Sequence, residues 1–292
     1  MSEFGPLSRI AYVNGSYLPH NAAAVHIEDR GYQFSDGVYE VIAIHRGSLV
    51  DEAAHMERLE RSLSELEIDW PMSARCLSIV MRQVIGRNRI NDGIIYLQIS
   101  RGVAPRNHAF PAYSESSLIL TARSMPPFDA AQASKGVDVI TIPEIRWKRR
   151  DIKSISLLAN CLGKEQAVQA GAYEAWFVDD DGLITEGTSS NAWIVAADGT
   201  LMTRHADNAI LNGITRKTVL QIADEQGIDF VEKAFSVEDA KAAAEAFITS
   251  TTSFVKPVAR IDGDKVSGGK PGPLVARLLD YYAEHMNDQA AV

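Results

Sequence analysis

The chain has 292 residues, 46% of them hydrophobic and 23% charged, which is typical of a soluble globular protein with one large or two smaller cores. Its formal net charge of −9 argues against a nucleic-acid partner, because binding a phosphate backbone requires a basic surface. Cys76 and Cys161 are too few for a disulfide framework or a zinc site, so a reducing compartment is the simpler expectation.

Targeting signals are not evident in the sequence. The start, Met1–Pro6, lacks a basic run followed by an apolar run, so no signal peptide is predicted. No apolar stretch approaches the ~18–20 residues that span a bilayer. We therefore expect a cytoplasmic protein without a membrane partner.

The first part of the chain alternates between strand and helix patterns. Asn14-Gly15 lies between β-forming residues and predicts a hairpin over 9–18. Apolar residues spaced by three and four predict helices over 53–68 and from about 73 to 85. Strands are predicted at 37–44, 93–100 and 117–121, and a loop containing residues 101–108 separates the last two.

A domain boundary is predicted around Pro126-Pro127, where little apolar periodicity remains up to Gly136. The predicted organisation is a small N-terminal domain over 1–124, a linker over 125–136 and a larger C-terminal domain over 137–292. In the latter, strands are predicted at 137–142, 174–178, 191–195 and 246–248, and helices at 157–172, 215–227, from Ser236 and at about 274–286. This alternation predicts a mixed α+β or α/β protein.

Two residues stand out as candidates for chemistry. Lys153 follows Ile152, and an isolated lysine near a helix start is most often a solvated charge. Among apolar neighbours, however, its pKa can fall, and the free amine can attack an aldehyde. Glu186 has the ordinary interpretation of a turn glutamate between two strands. As a candidate ligand, it could keep a heterocyclic nitrogen protonated, so that the ring accepts electrons.

Three segments could bind an anion, although each pattern is non-specific. Thr188–Ser190 is rich in hydroxyls, and so is Thr249–Ser253. Gly213 comes immediately before a predicted helix, whose free N–H groups favour phosphate. The glycine motifs of nucleotide and dinucleotide sites do not occur, so those cofactors are not predicted.

Arginine and histidine side chains offer a second kind of anion site. Arg58 lies off the apolar stripe of its helix, so an exposed side chain is predicted. Arg106 and His108 share a loop, where they could bind a carboxylate together or simply face solvent. The remaining histidines show no metal-ligand spacing, and the serine-hydrolase and zincin motifs do not occur.

Taken in order along the chain, these segments resemble the class IV (fold-type IV) pyridoxal-phosphate aminotransferases. This family includes D-amino acid transaminases, branched-chain aminotransferases, aminodeoxychorismate lyases and (R)-amine transaminases. The resemblance covers nearly the whole chain and is carried by Asp29–Glu40, Arg146–Ser154, Glu174–Asn191, Gly213–Arg216 and Thr249–Ser253. It implies a small N-terminal α/β domain and a larger C-terminal α/β domain with a β-barrel-like core, usually in a homodimer.

The resemblance also implies roles for individual residues. Lys153 would carry pyridoxal 5'-phosphate as a Schiff base and later move the proton at the substrate Cα. Glu186 would pair with the pyridine nitrogen. The phosphate would be surrounded by a set of side chains and N–H groups, namely Arg58, Ser189, Ile214, Thr215 and Thr251.

Within the family, the substrate class is implied by the loop 101–108. Its pattern Arg-Gly-x-x-Pro-Arg-x-His resembles the carboxylate site of D-amino acid transaminases, in which Tyr39, Arg106 and His108 would bind the α-carboxylate, the latter two from the partner subunit. The expected reaction is transfer of an amino group from a D-amino acid to a 2-oxo acid. The alternatives are a branched-chain L-amino acid aminotransferase, a pyruvate-releasing lyase of aminodeoxychorismate, and a non-enzymatic pyridoxal-phosphate carrier.

Overall fold

The structure is a computed structural model that describes residues 9–290, so the signal-peptide prediction for Met1–Pro6 lies outside the described residues. The chain divides into two compact units. Unit 1 contains the chain up to Pro127, Ile152–Ser156 and the end from Gln289, whereas unit 2 contains Phe128–Asp151 and Leu157–Asp288. The division after Pro127 falls inside the predicted linker 125–136. That Ile152–Ser156 groups with unit 1 is not part of the predicted organisation.

Unit 1 is built on an antiparallel sheet with the strand order β2-β1-β6-β5-β3-β4. Its elements are β1 (Ile10–Val13), β2 (Ser16–Pro19), α1 (Arg30–Phe34), β3 (Gly37–His45), β4 (Ser48–Leu49), α2 (Glu52–Glu65), α3 (Ala74–Asn88), β5 (Gly93–Ser100) and β6 (Ser117–Ser124). Even-numbered residues of β3, such as Val38 and Ile42, are buried in one core with Leu59 and Leu63 of α2 and Leu77 of α3. The apolar spacings of the sequence therefore predict this core correctly.

Unit 2 contains the second sheet, with the strand order β12-β11-β10-β13-β14-β7-β8-β9 and β15 paired to β14. Its strands are β7 (Val137–Pro143), β8 (Glu174–Val178), β9 (Ile184–Gly187), β10 (Asn191–Val195), β11 (Leu201–Thr203), β12 (Phe230–Glu232), β13 (Glu245–Ser250), β14 (Phe254–Ile261) and β15 (Asp264–Lys265). Its helices are α4 (Ala130–Ala133), α5 (Leu158–Gln169), α6 (Ile214–Glu225), α7 (Val237–Ala242) and α8 (Pro273–Ala290), whose last residues group with unit 1.

The connection between β9 and β10 shows why the second sheet is barrel-like. β9 lies at one end of the strand order, whereas β10 is an inner strand five positions away. Only Thr188, Ser189 and Ser190 join them, and the N–H of Gly187 donates to the carbonyl of Ser190 at 2.7 Å. Such a short turn requires the sheet to curl until its end comes beside β10.

Several elements agree with the sequence predictions and a few do not. The Asn14-Gly15 hairpin is confirmed, and both residues have the positive φ that this turn needs. The helix predicted from Ser236 is also confirmed as α7, and a capping box between Ser236 and Asp239 begins it. The eight-residue β14 is missing from the predictions, because Lys256-Pro257 interrupts its apolar pattern and proline lacks the N–H of a strand residue.

The part of the chain that the structure describes contains neither a membrane-spanning helix nor a metal-binding cluster of side chains. Within residues 9–290, no helix combines the length and the apolar character needed to cross a bilayer. The same residues contain no cluster of three or more histidine, cysteine or carboxylate side chains that could hold a metal ion.

The backbone conformation of the loop after β5 requires glycine at position 102. Gly102 has a φ of +94°, and an added Cβ would overlap the carbonyl oxygen of Glu115. Replacement by alanine therefore combines backbone strain with a clash against main chain, and we expect Gly102→Ala to lower the free energy of unfolding by at least about 1–2 kcal/mol. Urea denaturation measures this change.

Gly86 provides the matched control, because it is an exposed residue inside α3 with no atom near an added Cβ. Gly86→Ala should raise the free energy of unfolding by about 0.5–1 kcal/mol through helix propensity. Equal stabilities of the two variants would contradict this description of the loop.

Candidate active site

The main chain of Lys153 is held against the start of β3. The segment Ile152–Ser156 runs antiparallel to β3, where the N–H of Tyr39 donates to the carbonyl of Lys153 at 3.0 Å. Two residues further along the chain, the N–H of Ile155 donates to the carbonyl of Gly37 at 3.1 Å. Ile152 belongs to the core of unit 1, so the apolar neighbour noted in the sequence is a buried anchor.

The side chain of Lys153 is half-buried and contacts another predicted residue. Its Nζ lies 4.2 Å from the centre of the Tyr39 ring, a distance at which an ammonium is attracted to the face of the ring. Tyr39 in turn packs against Tyr96 on β5, with 5.8 Å between the ring centres. The structure therefore brings Lys153 and Tyr39 together in unit 1.

Arg58 is buried, so the prediction of an exposed side chain is wrong. It is only 8% exposed, and its Nε and Nη2 each donate to Glu40 on β3 at 2.8 Å. Glu40 also contacts Nδ1 of His55 at 2.8 Å. The Arg58 side chain points toward the sheet because Glu40 occupies an inward-facing position of β3, where its negative charge must be neutralised.

The charges of this cluster determine its protonation. Burial would raise the pKa of Glu40, but the charge and hydrogen bonds of Arg58 and the contact with His55 outweigh it and lower that pKa to about 2. Burial lowers the pKa of His55, and the nearby Arg58 and Lys153 act in the same direction, while Glu40 opposes them. At neutral pH the cluster therefore contains an anionic Glu40 and a cationic Arg58.

Arg106 and His108 lie in an exposed loop and share a contact with one ring. The guanidinium carbon of Arg106 is 4.5 Å from the centre of the Phe34 ring, and the His108 ring centre is 5.4 Å from it. Within the described chain, no hydrogen bond or ring contact joins Tyr39 to either residue. Their role toward a carboxylate stays a prediction.

In unit 2, Glu186 lies on β9 and not in a turn, and it is 5% exposed. Its Oε1 accepts from Nη1 of Arg146 at 2.5 Å. Its Oε2 accepts from Nδ2 of Asn191 and from the main-chain N–H of Leu211, both at 3.0 Å. One lone-pair position on Oε1 is thus left for a further donor.

Opposing effects act on this carboxylate. Burial raises the pKa of Glu186, and the charge and hydrogen bond of Arg146 offset part of that rise. Arg146 also pairs with Glu144, which Arg150 approaches at 3.2 Å, so two guanidinium groups balance two carboxylates. A positively charged ring nitrogen beside Glu186 would favour its ionised form further.

The N-terminus of α6 offers free amide donors. No described carbonyl or side chain accepts from the N–H groups of Ile214 or Thr215, and Gly213 at the N-cap supplies no side chain. An added Cβ on Gly213 would overlap Oδ1 of Asn191, whose Nδ2 holds the carbonyl of Leu211 at 2.8 Å. The helix start is thereby fixed with its donors available to an anion.

Thr251 and Ser189 are the remaining predicted phosphate residues. Thr251 lies in the turn between β13 and β14, and its N–H has no acceptor among residues 9–290. The hydroxyls of Ser189 and Ser190 each donate to the buried Glu174 at 3.0 Å, and the hydroxyl of Thr188 donates to the same carboxylate. Ser189 therefore has its main-chain N–H, and not its hydroxyl proton, to offer an anion.

The sequence-based search missed several polar residues of these clusters. Glu40 could have been found, because a carboxylate at an inward-facing strand position requires a buried cation. His55 carries no such signal, since its partner depends on the packing of α2 on β3. Arg146 and Asn191 lie at the ends of motifs that carry the family resemblance, but their partners become visible only in the folded chain.

The donors and acceptors of these clusters fit pyridoxal phosphate. Unit 1 supplies an amine beside an aromatic ring, and unit 2 supplies both a buried carboxylate with an open lone pair and amide donors at a helix start. An aldehyde, a ring nitrogen and a phosphate are the partners that these groups match. Within each unit separately, the protein groups therefore match parts of the cofactor in chemical type.

Comparison with known proteins identifies the family. The model of the class IV amino-transferases matches residues 37–261 of this chain. The match includes β3, the lysine segment and the strand of Glu186. The chain belongs to the class IV aminotransferase family.

Curated relatives agree on one activity. A D-alanine aminotransferase of Staphylococcus haemolyticus is 40% identical over 283 residues, which is 96% of this chain and 99% of that protein. A D-alanine aminotransferase of Bacillus licheniformis is 44% identical over 266 residues, covering 91% and 93% of the two chains.

Solved structures agree on the fold. The branched-chain amino acid aminotransferase of Escherichia coli has a TM-score of 0.87 and 25% identity, over 95% of this chain and 94% of that chain. A branched-chain aminotransferase of Thermoproteus uzoniensis has a TM-score of 0.84 and 26% identity, over 96% and 95%. The predicted fold-type IV architecture is confirmed.

The buried Glu40 gives the protein a specific pH dependence. Because its pKa is about 2 in the folded chain against 4.5 as the ordinary value, the ionised form stabilises the fold above pH 4.5 and loses this effect as the pH falls toward 2. Glu40→Gln should therefore lower the free energy of unfolding by about 3 kcal/mol at pH 7 and by much less at pH 3. Urea denaturation at both values measures the difference.

Glu52→Gln is the control, because Glu52 also pairs with an arginine, Arg82, but on the surface. Its effect at pH 7 should be clearly smaller. A Glu40→Gln variant with the same loss at pH 3 as at pH 7 would show that the carboxylate is not ionised in the folded protein.

Proposed function

We propose that the protein is a transaminase that moves the amino group of a D-amino acid to a 2-oxo acid, with pyridoxal 5'-phosphate as its cofactor. The observation that carries this proposal is the 40–44% identity to D-alanine aminotransferases over nearly the whole chain. The contact of Lys153 with Tyr39 in unit 1 supports it, and so, separately, does the hydrogen-bonded, buried Glu186 in unit 2. D-Alanine with 2-oxoglutarate is the first substrate pair to test.

The branched-chain L-amino acid aminotransferases are the second candidate, because their structures are similar to this one. Similar folds host different substrates, however, and the substrate class must be argued from the site. The exposed Arg106 and His108 offer two donors for a carboxylate, which favours the D-amino acid class. The relative rates with D-alanine and L-leucine separate the candidates.

When bound, pyridoxal phosphate supplies an aldehyde for the amino group and a protonated ring that stabilises negative charge at the substrate Cα. Lys153 would be the residue that holds the cofactor, and its Nζ would be the group that accepts and returns the proton of the substrate Cα. The hydrogen bonds of the Lys153 carbonyl and the Ile155 N–H to β3 fix the backbone from which this side chain extends. The Tyr39 ring supports the ammonium form of Lys153 when the proton is on Nζ.

Glu186 would keep the ring nitrogen protonated. Burial raises the pKa of Glu186 and Arg146 offsets part of this rise, while Asn191 and the N–H of Leu211 fix the orientation of the carboxylate. The N–H groups of Ile214, Thr215, Ser189 and Thr251, together with Arg58, would hold the phosphate. These groups would hold the cofactor, while Lys153 would move the proton.

Tyr39, together with Arg106 and His108 of the partner subunit, would bind the α-carboxylate of the substrate. A guanidinium binds a carboxylate through two parallel hydrogen bonds, and a neighbouring imidazole adds a third. By fixing the carboxylate, this group determines which hydrogen on Cα faces Lys153 and hence which enantiomer reacts.

We also propose a homodimer in the cytoplasm. Leu158 and Leu162 lie one turn apart on α5 with exposed side chains, and Ile27 and Tyr32 form a second exposed apolar pair in unit 1. Apolar surfaces of this kind are typical of protein interfaces. The free, exposed thiol of Cys161 is consistent with a reducing compartment.

The central test is the role of Lys153. The purified protein should transfer the amino group from D-alanine to 2-oxoglutarate, and Lys153→Ala should abolish turnover because no other amine replaces Nζ. After borohydride reduction, mass spectrometry should find the cofactor on the peptide that contains Lys153. Modification of Lys164 or another lysine instead, or turnover by Lys153→Ala, would contradict the assignment.

The second test concerns the substrate carboxylate. Arg106→Ala should weaken the binding of α-carboxylate substrates by about 2–5 kcal/mol, which corresponds to roughly 30- to several-thousand-fold. The KM values of D-alanine and 2-oxoglutarate report this loss. The half-reaction with a simple amine, followed by the absorbance of the bound cofactor, should change far less, and equal losses would rule out the carboxylate role.

A further inference from the structure

The loop that carries Arg106 and His108 is attached to unit 1 through Arg30. Among the described residues, the hydrogen bonds between residues 105–112 and the rest of unit 1 are donated by Nη1 of Arg30. The acceptors are the carbonyls of Asn107 at 2.6 Å and Ala109 at 3.4 Å. These two carbonyls lie on either side of His108, so one guanidinium fixes the main chain of this part of the loop.

Arg30 is itself held in a buried network. It is 3% exposed, and its Nε donates to Asp36 at 2.7 Å. Asp36 accepts two further hydrogen bonds from Arg101, at 2.8 and 3.0 Å. Arg101 also donates to the carbonyls of Leu66 and Glu67 just after α2. The loop is thereby connected to the core of unit 1 through two guanidinium groups and one carboxylate.

Arg30 also supports the loop through an aromatic ring. The guanidinium carbons of Arg30 and Arg106 lie 4.8 Å and 4.5 Å from the centre of the Phe34 ring, which His108 also contacts. Cation–ring contacts of this length restrict a long side chain that would otherwise sample many rotamers. The orientation of Arg106 thus depends on Phe34, and the position of the loop depends on Arg30.

We propose that Arg30 is a positioning residue for the recognition of the substrate α-carboxylate: it orders the loop main chain, so that Arg106 and His108 are in place before the substrate binds. This inference rests on the proposed function of Arg106. If the loop is not ordered in advance, substrate binding must order it, and the entropy cost of this ordering lowers the affinity for the substrate. The proton transfer at Lys153 does not involve Arg30, so the saturated rate should change little.

The experiment is a double-mutant cycle of Arg30→Met and Arg106→Ala in the cofactor-loaded enzyme. Its readouts are the dissociation constant of pyruvate by calorimetry and kcat and KM for D-alanine. Arg30→Met should raise the dissociation constant and KM by about tenfold or more when Arg106 is present, and by less than about threefold when Arg106 is already alanine. The value of kcat should stay within about threefold.

A second variant covers the case in which Arg30→Met does not give folded protein. Phe34→Leu keeps the buried ion pairs and removes the surface on which Arg106 lies, and it should show the same dependence on Arg106. Arg30→Lys keeps a cation beside Asp36 but loses the planar donor group, so it should restore part of the affinity. Arg82→Met, which removes an exposed arginine of the same unit, is the control and should leave every readout unchanged.

The outcomes separate the inference from the proposed function. If Arg106→Ala does not weaken pyruvate binding, the carboxylate role of Arg106 is wrong, and the role of Arg30 is overturned with it. If Arg106→Ala weakens binding but the effects of Arg30→Met and Phe34→Leu are absent or simply additive, only the positioning role of Arg30 is overturned. Loss of affinity that disappears in the Arg106→Ala background supports it.

Discussion

The arrangement on which this protein depends is a carboxylate buried together with the guanidinium that neutralises it. Glu40 pairs with Arg58, Glu186 with Arg146, and Asp36 with both Arg30 and Arg101. An isolated buried charge is strongly destabilising, so each partner is needed for the other to remain in place. In each pair, hydrogen bonds fix the geometry as well as the charge. The candidate site is therefore built from ions whose positions are set by the fold.

The pairs differ in how burial and charge affect the carboxylate. Burial raises the pKa of Glu186, and Arg146 counteracts part of this rise. Glu40 has to be anionic to orient Arg58, and its pKa is correspondingly low. Asp36 joins two arginines, so that cluster retains a net positive charge near the loop of Arg106. The same type of contact thus joins α2 to β3, supports the strand of Glu186, and connects the loop of Arg106 to unit 1.

The local sequence determines much of the fold, but it says little about which segments and buried polar side chains pair with each other. The strands Gly93–Ser100, Glu174–Val178 and Asn191–Val195 have the predicted bounds, because their β-forming runs are flanked by turn residues. The grouping of Ile152–Ser156 with unit 1 could not be predicted, since five residues in an extended conformation carry no periodicity. The pairing of Glu40 with His55 likewise depends on how α2 packs on β3, which no short segment encodes.

The anchoring of Lys153 determines how this residue can move. The hydrogen bonds from Tyr39 to the Lys153 carbonyl and from Ile155 to Gly37 leave the main chain little freedom, so the four side-chain torsions are what displaces the amine. Rotation about such bonds is fast, in the range of picoseconds to nanoseconds for accessible side chains. The amine can consequently take up different positions without any rearrangement of the backbone. A fixed backbone and a flexible methylene chain confine the motion of this amine to side-chain torsions.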